Sequence, residues 1–241
     1  MTSSDNTVAP SIATARPIGL LGGTFNPIHY GHLLPTAELM SELNIHDVRL
    51  IPCHRPPHKQ TPKVDSNQRA TMVQLACDFM NEQHHCALSV DLLELNRQTP
   101  SYTVDTLNQY RQQHPTSPLW FLMGLDSLLN FKTWHQWQQI LTLCHLVVSV
   151  RPGYSLDGQN TNSDTNIKSE IDTVHDLLEA RKTEQLSDLH HKLAGHIYFA
   201  AITEQNISSS EIRKQYHQGQ DPSQLMPPNV AKHINQQRLY K

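Results

Sequence analysis

The sequence predicts an α/β fold: a doubly wound parallel sheet with helices on both faces and a helical insertion late in the chain. Three observations lead there. Short apolar runs alternate with stretches of helical periodicity and no internal repeat, the pattern of a sheet built from successive crossovers. Leu119 to Met123 is apolar at nearly every position, as expected of a central strand covered on both faces. Ile18 to Leu21 runs into adjacent glycines and then a helical pattern, which reads as strand, tight turn and helix start.

The elements follow in order. Residues 1–16, rich in Ser, Thr, Asn and Ala, are expected to form a flexible extension ahead of a single domain spanning 17–241. After the glycine turn, Leu33, Ala37, Met40 and Leu43 recur at helical spacing, and Pro35 is assigned to the first turn, where its missing N–H costs little. Residues 48–52 form a short apolar strand, followed by a basic, proline-stiffened loop over 54–59. A loop at that end of a parallel strand faces the ligand crevice, so Arg55, His58 and Lys59 are candidate phosphate contacts. Ser66 is the expected cap of a helix that turns Met72, Leu75, Ala76 and Phe79 inward. Residues 87–95 read as a strand and its exit. Ser101 is the expected cap of the next helix, with Val104, Leu107 and Tyr110 inward.

Beyond the Leu119–Met123 strand, Gly124-Leu125-Asp126-Ser127 leaves its C-terminal end, and residues 146–150 form another buried strand. Residues 154–166 are a polar break without periodicity. Ile167, Ile171, Val174 and Leu178, then Leu186, Leu189 and Leu193, predict helices within an insertion over 154–194. Residues 197–202 return to strand, the serine-rich block at 208–210 opens a helix, and a last short helix follows Pro227-Pro228.

Composition narrows the function classes. A net charge of −3 over 241 residues gives no broad basic surface, so nucleic acid is not an expected partner. No apolar run could span a bilayer, and no membrane partner is expected. The four cysteines, Cys53, Cys77, Cys86 and Cys144, show no metal-site spacing, and the sixteen histidines are scattered. A cytoplasmic, reduced protein is the expectation, as a monomer or a homo-oligomer.

Chemistry is concentrated in Gly22-Gly23-Thr24-Phe25-Asn26-Pro27-Ile28-His29-Tyr30-Gly31-His32. Glycines let a ligand approach the main chain, and the helix start that follows offers unpaired N–H groups to phosphate. His29 and His32 lie three apart and share one side of that turn. The P-loop pattern G-x-x-x-x-G-K-[ST] and the dinucleotide pattern G-x-G-x-x-G are both missing.

This stretch resembles the nucleotidyltransferase signature G-G-T-F-D-P-x-H-x-G-H. Ile207-Ser208-Ser209-Ser210-Glu211-Ile212-Arg213 resembles its partner motif I-S-S-T-x-I-R. Between them, Pro100-Ser101-Tyr102-Thr103, Gly124-Leu125-Asp126-Ser127 and Thr133-Trp134 stand in the order seen in bacterial nicotinate-nucleotide adenylyltransferases. The resemblance covers residues 17–241. It implies a Rossmann-like nucleotidyltransferase fold and transfer of AMP from ATP, brought with Mg²⁺, to nicotinate mononucleotide.

It also implies roles. His29 and His32 would hydrogen-bond the ATP phosphates, with His32 near the reacting α-phosphate. The plainer role, capping the helix, is set aside because the second block is present. Gly22, Gly23, Thr24 and Phe25 would line the nucleotide, and Gly124 and Asp126 would meet its adenosine part. Ser208, Ser209, Ser210 and Arg213 would grip the β- and γ-phosphates. Thr103, Trp134 and Lys59 would serve the acceptor, with Trp137 a rival to Trp134 at helical spacing. Asn26 departs from the signature, which has Asp, and is kept out of the catalytic set. Two other readings are another acceptor, such as nicotinamide mononucleotide or phosphopantetheine, and a catalytically silent nucleotide sensor.

Overall fold

A computed structural model describes residues 15–56, 62–150, 173–203 and 205–241. Seven strands, β1 (Ile18–Gly23), β2 (Val48–Pro52), β3 (Leu88–Val90), β4 (Leu119–Gly124), β5 (His145–Val150), β6 (Lys182–Thr183) and β7 (Ile197–Ala201), form one sheet in the order β3-β2-β1-β4-β5-β7-β6. Every pairing is parallel. The helices are α1 (Tyr30–Glu42), α2 (Ser66–His84), α3 (Thr103–Gln113), α4 (Leu125–Leu129), α5 (Trp137–Leu143), α6 (His175–Arg181), α7 (Leu186–His191), α8 (Ser209–His217) and α9 (Pro228–Gln236).

Strand side chains alternate between two cores, the period-2 rule of a sheet covered on both sides. From β4, Trp120 and Leu122 enter the core shared with α1, α2, α8 and α9. Leu119, Phe121 and Met123 enter the opposite core, with Val104, Leu107 and Tyr110 of α3, Ile140 of α5 and Leu177 of α6. The expected inward triad of α3 is thus fully buried. Met72 and Ala76 of α2 are buried as well, and Leu75 and Phe79 pack half-buried against the same core.

The sheet order positions the site. The chain winds outward from β1 through β2 to β3, returns to the centre at β4, and winds the other way. β1 pairs with β2 along its length, to Gly23 opposite Pro52, and β4 with β5 to Gly124 opposite Ser149. β1 and β4 pair only from Ile18–Leu119 to Leu20–Phe121. Their C-terminal ends therefore part, and a crevice opens at this switch point, where such sheets bind ligands.

Several local expectations are corrected. Asp65, not Ser66, caps α2, because its carboxylate accepts from the N–H groups of both Asn67 and Gln68. Ser101 does not cap α3. Tyr102 holds the cap position without a side-chain bond, and the Ser101 hydroxyl accepts from the N–H groups of His54 and Arg55. Helix α1 starts at Tyr30, so Pro35 lies in its interior rather than its first turn and has no N–H for the Gly31 carbonyl. The insertion is not purely helical: between α6 and α7, Lys182–Thr183 adds the edge strand β6 against β7. Residues 1–14, His58, Lys59, the 154–166 break, Ile167 and Ile171 lie outside the described residues.

Candidate active site

The loop leaving β1 is held from three directions. Its glycines are extended strand residues, and the left-handed backbone falls on Phe25, at φ 45°. That conformation costs a non-glycine residue about 1–3 kcal/mol. Gly23 makes the bend possible through space rather than angle, since a Cβ there would stand 2.7 Å from the Phe25 ring. The ring is buried in the core beneath the loop, so Phe25 offers a ligand only main chain. The Asn26–Pro27 peptide that follows is cis.

From the second direction, the C-terminal motif packs on the same loop. Ser209 Oγ donates to the Pro27 carbonyl at 2.9 Å, and Arg213 Nη1 donates to the Asn26 carbonyl at 2.8 Å. A Cβ on Gly31 would stand 2.9 Å from the Ile207 carbonyl oxygen, so only glycine lets the two segments meet backbone to backbone. Ser208 caps α8 by accepting from the Glu211 N–H, and Ser210 Oγ accepts from Arg213 Nη2 at 3.1 Å. The first turns of α1 and α8 thus lie against one another, each presenting helix-start N–H groups of the kind that bind anions.

The third hold comes from Arg69, which the sequence reading missed. It is 1% exposed, and donates to the Thr24 carbonyl at 2.6 Å and the Cys53 carbonyl at 2.7 Å, tying the loops after β1 and β2 together. Its signal was present as an arginine in register with Met72, Val73 and Ala76 on the buried side of α2. A cation on that face has to be answering buried acceptors.

His29 and His32 do cap the helix, in a reciprocal box. His29 Nδ1 accepts from the Gly31 N–H at 3.0 Å, and His32 Nδ1 from the His29 N–H at 3.4 Å. Their rings lie 3.9 Å apart, and His32 meets the edge of Phe25. Burial, and then the neighbouring His32, pushes His29 down to about 3, and burial pushes His32 down to about 4. Both rings are therefore neutral at pH 7. With each Nδ1 accepting, each proton sits on Nε2, so capping leaves a directed N–H donor on both rings.

Beside this loop, in the crevice between β1 and β4, lies a cavity of about 560 Å³. It gathers Gly22, Gly23, Thr24, Thr103, Asp126 and Trp134 from the sequence-predicted set. Thr103 is the first residue of α3, whose opening N–H groups have no partner within the helix. Trp134 lines the cavity with its ring edge-on to Phe121, whereas Trp137 packs against Phe131 and is absent from the lining. Gly124 precedes α4 without lining the cavity, and a Cβ there would stand 2.7 Å from Asp126 Oδ1. His29, His32, Ser208, Ser209, Ser210 and Arg213 do not line the cavity and lie where the starts of α1 and α8 meet beside it. Arg55 donates to the Gln98 carbonyl and is not part of the lining. Glu94, Tyr102, Asn130 and His135 line the cavity without having been foreseen.

Among the described residues no three His, Cys, Asp or Glu side chains converge, and Asn26 Oδ1 accepts from the Tyr240 hydroxyl.

Residues 20–215 match the cytidylyltransferase-like family model. The chain is 44% identical over 225 residues, 93% of its length, to a "Probable nicotinate-nucleotide adenylyltransferase" of Aeromonas salmonicida, 97% of which is covered. It is 40% identical over 223 residues to one of Shewanella baltica, covering 92% of this chain and 98% of that one. Among solved structures it resembles Plasmodium falciparum nicotinic acid mononucleotide adenylyltransferase complexed with NaAD, at a TM-score of 0.66 and 18% identity over 94% of this chain and 98% of that one.

Proposed function

The chain belongs to the nicotinate-nucleotide adenylyltransferases of the cytidylyltransferase-like family, and from that membership we propose that it transfers AMP from ATP to nicotinate mononucleotide, giving deamido-NAD and pyrophosphate in NAD synthesis. The observation that carries the proposal is the contact of the Ile207–Arg213 segment with the loop bearing His29 and His32. One helix start would bind an anion. Two that converge, with a pair of imidazole donors and an arginine, suit a chain of phosphates.

In this reading the triphosphate lies across the starts of α1 and α8. The Ser209 and Ser210 N–H groups and Arg213 hold the β- and γ-phosphates, and the Nε2–H donors of His29 and His32 face the α-phosphate. The acceptor sits in the cavity, its ring against Trp134 and its carboxylate at the N–H groups of Thr103 and the following residue. Asp126 meets the ribose of the adenosine part. The acceptor's 5′-phosphate oxygen attacks the α-phosphorus in line as the bond to pyrophosphate breaks. The enzyme contributes position and donors fixed in advance, and no covalent intermediate is needed. Mg²⁺ brought with ATP would supply charge neutralisation on the phosphates.

N–H donors at the ring substituent favour the acid over the amide, which would set N–H against N–H. A pyrophosphate-release assay with ATP and each mononucleotide, with and without a chelator, tests the proposal. Release with the acid, far slower release with the amide, and loss of both on chelation are expected. Equal use of the two acceptors would overturn the acceptor assignment.

A further inference from the structure

Behind the cavity wall lies a charge cluster that the mechanism above does not use. Glu94, 6% exposed, lines the cavity from the segment between β3 and α3. Its Oε1 accepts from the Thr106 hydroxyl on α3 at 2.7 Å. Arg97 Nη2 lies 3.7 Å from the same oxygen and donates to the Thr106 hydroxyl in turn. The Nε and Nη1 atoms of Arg97 are buried and have no hydrogen-bond partner among the described residues.

A carboxylate is a poor choice for the wall of a pocket that takes an anionic acceptor. Burial raises the Glu94 carboxyl above its usual range, and the Thr106 and Ser101 hydroxyls and Arg97 pull the other way. Asp105, on α3, adds a second negative charge nearby and disfavours ionised Glu94. Arg97, 3.7 Å from Glu94 Oε1, sets the charge of the wall. With Glu94 ionised the pair is neutral, and with Glu94 protonated the wall is positive. Without Arg97, an ionised Glu94 would face the acceptor uncompensated, next to the helix start that should receive a carboxylate.

We propose that the Arg97–Glu94 pair is a specificity determinant for the acceptor, in which Arg97 cancels the Glu94 charge at the cavity wall and so admits a mononucleotide whose ring bears a carboxylate. The proposal rests on the adenylyl-transfer reading and adds the charge rule for its second substrate. Arg97 is a positioning and charge-setting residue and does not touch the reacting phosphates.

Steady-state kinetics with both mononucleotides test it. Arg97→Met is expected to raise KM for nicotinate mononucleotide by about tenfold or more, since a like charge then faces the acceptor, while KM for ATP and for nicotinamide mononucleotide changes less than about twofold. The double variant Glu94→Gln with Arg97→Met removes both charges and is expected to return the acid KM to within about threefold of the parent. Equal loss with both acceptors, or no recovery in the double variant, would reduce Arg97 to a loop-packing role and overturn the proposal. If Arg97→Met does not fold, Glu94→Gln alone decides. The unopposed arginine should lower KM for the acid relative to the amide, and an unchanged ratio refutes the idea. Failure of the unsubstituted enzyme to release pyrophosphate with either acceptor would instead remove the underlying reading, and this inference with it.

Discussion

The Tyr240 hydroxyl donates to Asn26 Oδ1 at 2.7 Å, on the residue whose carbonyl receives Arg213. This contact gives the Asn26 side chain a task that needs no charge. The side chain serves as an acceptor for a phenol, a task a carboxylate performs equally well. Asn26→Asp is therefore expected to change kcat by less than about tenfold, roughly 1.4 kcal/mol of barrier. A larger change would show that charge at this position enters the chemistry.

His32→Ala removes a neutral donor beside the start of α1 while leaving the Gly31 bond to His29 intact. A loss in kcat on the order of 10²-fold or more is expected, with a smaller effect on KM for ATP. His29→Ala also deletes the cap, and should lower stability by about 1 kcal/mol in addition to slowing turnover. Near-normal turnover of His32→Ala would remove it from the mechanism.

Acid should destabilise the fold. Burial holds His29 near 3, and His32 and His145 near 4, whereas each titrates near 6.5 when unfolded. Below pH 6.5 the unfolded chain takes up protons that the native state refuses. Stability is therefore full above that value and falls as pH drops toward the folded values, by at most about 1.4 kcal/mol per pH unit for each group. Glu94, raised by burial, works in the opposite direction but is a single group. The thermal midpoint should drop between pH 7.5 and 5. His145→Gln should flatten the drop, because His145, donating to Lys192 and accepting from His196, is one of its sources. A midpoint independent of pH in this window would contradict the assignment.

Arg69→Met keeps most of the side-chain volume and removes the hydrogen bonds that Arg69 donates to the Thr24 and Cys53 carbonyls. Two lost hydrogen bonds from a buried arginine, at about 1–3 kcal/mol each, give an expected loss of about 2–6 kcal/mol in urea unfolding. Because Thr24 belongs to the loop proposed to meet the nucleotide, KM for ATP should rise as well. A stable variant with unchanged KM would show that the loop holds itself.

Trp134→Ala and Trp137→Ala separate ligand contact from packing. The first should raise KM for the acceptor by about tenfold, the loss of one stacking face, and leave KM for ATP unchanged. The second should lower the thermal midpoint with little effect on either KM, since its ring rests on Phe131.

The sheet was legible because its signals are local. β2 was bounded correctly from an apolar run, and the inward residues of α3 from their spacing. Caps were less legible, because Asp65 and Ser66 are both competent and only backbone angles decide between them. The edge strand β6 is two residues long and carries no pattern of its own. At the site, the two motifs singled out in the sequence meet, with Ser209 donating to Pro27 and Arg213 to Asn26. Contacts such as Tyr240 with Asn26, or Arg69 with Thr24, join residues far apart in the chain, and helical spacing that marks Arg69 as buried does not name the carbonyl it answers. The positive φ at Phe25 was hidden by the glycines beside it, which looked like the natural place for strain.

The close approach at Gly31 bears on when activity can appear during synthesis. A ribosome delivers α1 early and α8 late, with most of the sheet made in between. A nascent chain halted before the 207–213 segment emerges would carry a nearly finished sheet and half a phosphate grip. Adenylyl transfer in a coupled translation reaction should therefore lag behind protease resistance of the strands, and start only when the late segment seats against that glycine.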